Sequence, residues 1–115
     1  MADRIYDILT EVARLGALIT EADLARGIER DPISEGTDTY LRGALEERVR
    51  LDVAVQRPLV ALLVRVRDTD APVVYMRRLC AHAGIFDHPL GDSEAWAAFV
   101  QEERQQVYNY YQRRR

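Results

Sequence analysis

The side chains best equipped for chemistry in this sequence are arginines. All 16 basic residues of the 115-residue chain are Arg, and none is Lys. The planar guanidinium carries a fork of donors that grips a phosphate or a guanine edge at two points, which an ammonium cannot do. Arg42, Arg48 and Arg50 crowd one segment, and Arg65 and Arg67 close a short apolar run. On one face of a fold, the first three could enter a groove of duplex DNA while the last two held its backbone, with an affinity that falls as salt rises. Genome composition rich in G and C also favours Arg over Lys, so the bias by itself assigns no function.

Other reactive types are sparse. Cys80, His82 and His88 stand near one another, but a single Cys at this spacing does not match a structural zinc site. Cys80 reads as a small buried hydrophobe on a helix face. No Ser, His and Asp set has the spacing of a nucleophile elbow. No catalytic, metal or cofactor residue is therefore assigned.

Apolar periodicity defines the elements that must carry the arginines. Ile5, Ile8, Leu9, Val12 and Leu15 recur at helical spacing and predict a first amphipathic helix over 3–15, ended by Gly16. Thr20 and Asp23 have the spacing of reciprocal caps, so a second short helix should begin at Thr20 and turn Leu24 and Ile28 inward. Pro32 and Gly36 mark a loop over 31–38. Past it, with Asp38 or Thr39 as cap, Leu41, Leu45, Val49 and Val53 predict a third helix running to Gln56, stopped by Pro58.

The run Leu59 to Val66 reads as a buried strand and Arg67 to Pro72 as a turn. Val73 to Tyr75 returns as a second strand, which makes a hairpin or wing. Met76 to Ala83 is a short helix closed by Gly84, and 86–92 is a loop. Ser93 caps a final helix over about 93–113, with Trp96, Phe99, Val100, Val107, Tyr110 and Tyr111 as its apolar stripe and Arg113 to Arg115 at its cation-favouring end.

Composition bounds the class. The chain is 48% hydrophobic and 30% charged, with a net charge of −3, which argues against disorder, and its lone Cys argues against a disulfide scaffold. No apolar run approaches the roughly 20 residues of a membrane span, and the acidic start is unlike a signal peptide. One cytoplasmic domain over 1–115 with no membrane partner is the expectation. Its class is mainly α with a small β-hairpin, a winged helix-turn-helix with an added long C-terminal helix.

The stretch Thr20 to Val66 resembles the winged-helix domain of the O6-alkylguanine alkyltransferases and their alkyltransferase-like relatives. Where members carry Thr-Tyr-Gly-Glu-Leu-Ala, this chain has Thr20-Glu21-Ala22-Asp23-Leu24-Ala25. Thr39-Tyr40-Leu41-Arg42-Gly43-Ala44-Leu45 stands in the place of Arg-Ala-Val-Gly-x-Ala-Leu, and Pro58 to Val66 in that of Pro-Leu-Leu-Val-Pro-Cys-His-Arg-Val. The resemblance implies a DNA-binding scaffold without the reaction. The reactive Cys falls on Leu63 and its His on Val64, so thiolate alkyl transfer cannot run. The base-flipping Arg and Tyr fall on Thr39 and Glu21. The run through Asp68-Thr69-Asp70-Ala71-Pro72 also looks like small bacterial winged-helix proteins with Asp-Thr-Gly-x-Pro.

Charge distribution weighs against easy DNA contact. Residues 1–57 hold 8 Arg against 12 acids, and residues 58–115 hold 8 Arg against 7. Glu46 and Glu47 share the third helix with the candidate arginines, and a polyanion is attracted only if the arginines are segregated. Two readings result. One is a non-enzymatic winged-helix module that binds duplex DNA through Arg42, Arg48, Arg50, Arg65 and Arg67. The other is a protein-interaction or homo-oligomerisation domain that uses Tyr108, Tyr110 and Tyr111 of the last helix, since Tyr and Arg are enriched at such surfaces.

Overall fold

The computed structural model describes residues 3–89 and 91–113. Its elements are α1 (Asp3–Arg14), β1 (Ile19–Thr20), α2 (Glu21–Gly27), α3 (Glu35–Ala54), a 3-10 helix (Val60–Leu63), β2 (Val64–Arg65), α4 (Met76–His82) and α5 (Ser93–Arg113). The expected mainly helical class holds. Among the described residues, no helix is long and apolar enough to cross a membrane.

Helix ends follow local chemistry. Gly16 (φ 65) and Gly84 (φ 78) take left-handed backbone just past α1 and α4, a conformation that costs a residue with a Cβ. Thr20 caps α2, its hydroxyl accepting from the Asp23 amide at 3.2 Å. Two caps differ from expectation. α3 starts at Glu35, so Asp38 and Thr39 lie inside its first turns. α5 is capped by Asp92, which accepts the Ala95 amide at 3.0 Å, and Ser93 is its first residue. α3 also ends before Pro58 can act. Gln56 turns left-handed (φ 58), and the Arg57 amide returns to the Asp52 carbonyl at 2.8 Å. Arg114 and Arg115, assigned to the end of the last helix, lie outside the described residues.

The strand expected over 59–66 is not formed. Val60–Leu63 is a 3-10 helix, and only Val64–Arg65 is extended. β2 pairs in parallel with β1, Ile19 opposite Val64 and Thr20 opposite Arg65. The return arm of the expected hairpin reduces to one antiparallel bridge, Arg65 to Pro72, flanked by bonds from Val66 N to Ala71 O (2.8 Å) and Val73 N to Val64 O (3.2 Å). The reason is the want of a partner strand. Every side chain from Leu59 to Val64 is buried, with α1, α3 and α5 packed around the segment, and β1 is only two residues long, so no ladder could satisfy a longer strand.

α5 satisfies the backbone instead. Glu103 accepts the Leu59 amide at 3.0 Å, and Arg104 donates to the Leu62 carbonyl at 2.8 Å and to the Asp70 carbonyl at 2.6 Å. Neighbouring side chains of one helix thus clamp both ends of the central 3-10 helix and tether the hairpin. Fully burying each Leu of this segment contributes about 1.5–3 kcal/mol.

A buried ionic cluster braces the opposite side. Asp52 is fully buried, 3.3 Å from Arg48 and 3.1 Å from Arg57. Both guanidinium groups lie over the Tyr6 ring, at 4.2 Å and 5.4 Å, and Tyr6 shares a hydrogen bond of 2.9 Å with the Tyr111 hydroxyl. Burial pushes the Asp52 carboxyl up from its ordinary value, against the pull of Arg48 and Arg57.

Candidate nucleic-acid interface

A groove of about 930 Å³ runs between α2, the first turns of α3 and the hairpin over 64–73. The local causes are simple. Thr20 caps α2 and so turns Glu21 and Ala22 toward the opening, Pro32 sits in the α2–α3 loop, and Asp38, Thr39 and Arg42 follow one another on one face of α3. The hairpin adds Arg65, Arg67 and Val73, and Val74 follows it. Four arginines, Arg26, Arg42, Arg65 and Arg67, line this groove against two acids, Glu21 and Asp38.

The cations are held in different ways. Arg42 stacks over the Tyr75 ring at 4.6 Å, and the Tyr75 hydroxyl donates to Glu21 at 2.8 Å. Burial first, and the Glu21 charge second, push the Tyr75 hydroxyl above its ordinary value, so it stays a donor. Arg65 donates through Nη1 to the carbonyls of Val66 and Thr69, at 3.4 and 3.3 Å. Arg67 projects from the hairpin, nine-tenths exposed, 3.8 Å from Asp68. Arg26 pairs with Asp23 at 2.8 Å.

Of the five arginines chosen from sequence, Arg42, Arg65 and Arg67 come together here and two do not. Arg48 is buried in the Asp52–Tyr6 cluster, because its place on α3 faces the core beside Val49. Arg50 is exposed but is held by Glu46 at 2.5 Å and Glu47 at 3.3 Å, and it does not line the groove. Sequence reasoning missed Arg26 and Tyr75. Arg26 follows Asp23 at a spacing that reads as an ordinary helix-surface pair, and Tyr75 was assigned to a strand that does not form.

Of the tyrosines of the last helix, Tyr111 is buried and Tyr108 and Tyr110 are half-buried. Tyr111 is buried against Tyr6, Tyr108 donates to the Ala17 carbonyl at 2.8 Å, and Tyr110 packs edge-on against Tyr111 at 4.8 Å. Their contacts belong to the junction of α1 and α5. Cys80 is buried, and burial pushes its thiol up to about 12. Leu63 and Val64, at the positions of the reactive pair in the family that the sequence resembles, are fully buried. Among the described residues, no cluster of His, Cys, Asp and Glu could hold a metal ion. Compared with known proteins, the chain matches no family model, no curated protein and no solved structure.

Proposed function

We propose that this chain is a non-enzymatic module of winged-helix type that binds nucleic acid along the groove between α2, α3 and the hairpin. The observation that carries the reading is the convergence there of Arg26, Arg42, Arg65 and Arg67 from three separate elements in a chain whose net charge is −3. Arginine supplies both phosphate contact and bidentate contact to a base edge. Arg42, stacked on Tyr75, is the residue best placed to read a base, while Arg65 and Arg67 hold backbone. Glu46 and Glu47 on the later turns of α3 keep that part of the helix away from phosphate, so contact is confined to its first turns.

Labelled duplex DNA titrated with the full chain at several salt concentrations tests this. Three to four phosphates neutralised give a log–log slope of about −3. Arg42→Ala with Arg67→Ala should weaken binding with the fold intact, and Arg50→Ala should not. Absence of saturable binding at low salt, or unchanged affinity in the Arg42 and Arg67 variants, overturns the proposal.

A further inference from the structure

Two properties of the groove also suit a small guest. Its volume, about 930 Å³, lies in the range of pockets that enclose small molecules. Its charges are also arranged by wall. The hairpin side offers Arg65 and Arg67, whereas the helix side sets Glu21 and Asp38 beside Arg26 and Arg42. Phosphate oxygens find partners in Arg65 and Arg67, whereas Glu21 and Asp38 accept from hydrogen-bond donors. A compact ligand with an anionic end and a donor-bearing end meets each wall with matching chemistry.

Arg42 and Tyr75 both line the groove and are in contact with one another. Arg42 lies over the Tyr75 ring at 4.6 Å, and Tyr75 is tied to Glu21 through its hydroxyl at 2.8 Å. These contacts join α2, α3 and the residues that follow the hairpin. The outer face of a stacked guanidinium takes a second planar group, as arginine planes take bases. Val73 and Val74 add an apolar edge, Val74 being 84% exposed.

We infer that the groove binds a free nucleoside monophosphate. Its phosphate rests on Arg65 and Arg67, its base on the Arg42–Tyr75 stack, and its amino and hydroxyl donors turn toward Glu21 and Asp38. The ligand and nucleic acid then exclude one another. That exclusion rests on the function proposed above; ligand binding itself stands on the groove alone.

Calorimetric titration of the full chain with adenosine monophosphate, with inorganic phosphate and adenosine as separate arms, tests the inference. The monophosphate should bind at least about tenfold more tightly than either fragment, and Arg67→Ala should cost about tenfold, as loss of a charged hydrogen bond does. Because Arg67 is exposed, its removal leaves the melting temperature unchanged, and Tyr75→Phe serves as a second variant that keeps the ring and loses the Glu21 bond. No saturable heat at low-millimolar monophosphate, or inorganic phosphate binding as tightly, overturns the inference. Monophosphate binding without duplex binding supports it and rejects the proposed function; duplex binding without monophosphate binding does the reverse. Where both bind, saturating monophosphate should release labelled duplex, and unchanged duplex affinity overturns the exclusion.

Discussion

Arg104→Ala tests whether α5 holds the centre of this protein by hydrogen bonds as well as by apolar contact. Arg104 donates to Leu62 and Asp70 at 2.8 and 2.6 Å. Hydrogen bonds from a charged donor contribute about 1.5–3 kcal/mol each. They do not count equally here, because Asp70 is exposed and regains water, whereas Leu62 is fully buried and its carbonyl loses a partner. Arg104 is itself half-buried, with Nη2 making no hydrogen bond within the described residues, and burial pulls its basicity down, which offsets part of the gain. The net expectation is a loss of about 2 kcal/mol, or a fall of about 6–12 °C in Tm for a domain of this size. Circular dichroism gives the Tm, and hydrogen exchange locates the effect at the Val66 and Val73 amides, whose ladder the tether supports. A fall under about 2 °C, or a larger one with those two amides unchanged relative to the helices, refutes the clamp.

Glu103→Gln keeps an acceptor for the Leu59 amide but removes a carboxylate whose pKa burial has raised. A raised pKa means that the folded state holds the proton more tightly, so its contribution is full below the unfolded value and is lost as pH rises through the folded one. The Gln variant should therefore exceed the parent in stability at neutral pH, with the difference vanishing near about pH 4; denaturant melts across pH measure it, and a pH-independent difference rejects the sign. The Cys80 thiol, buried and raised to about 12, should resist a thiol reagent at mildly alkaline pH until denaturant unfolds the chain, and rapid labelling of the native protein would contradict its burial. Leu62→Ala should cost about 2–5 kcal/mol by opening a cavity at the centre, and a Tm within error of the parent would misplace the core.

The helices were legible because each signal was local. The spacing of Leu41, Leu45 and Val49, the Thr20 cap and the glycines at 16 and 84 act within a few residues, and all appear where expected. The error over 59–66 has the opposite cause. An unbroken apolar stretch such as Leu59 to Val64 states that it is buried and leaves its backbone conformation open. Here the decision came from Glu103 and Arg104, more than 40 residues later in the chain, which satisfy the groups that a strand would have paired.

The arginines divide for a related reason. Arg42, Arg48 and Arg50 share one helix, yet one stacks over a groove, one enters the core and one is neutralised by its own neighbours. Spacing along α3 separates Arg48 from Arg42 by nearly two turns and places it beside Val49, at the edge of the apolar stripe. A long side chain there can lay its stem on the core, but it enters only if a buried acid and an aromatic face receive its charge. Asp52, one turn on, is visible in the sequence; Tyr6, on another helix, is not. Net charge fails as a guide on the same ground. Several of the acids that make the first half negative are spent on Arg14, Arg26, Arg48 and Arg50, and the groove draws Arg65 and Arg67 from the other half of the chain. The potential that a ligand meets is set by which charges share a wall, so the groove can attract an anion although the protein as a whole is negative.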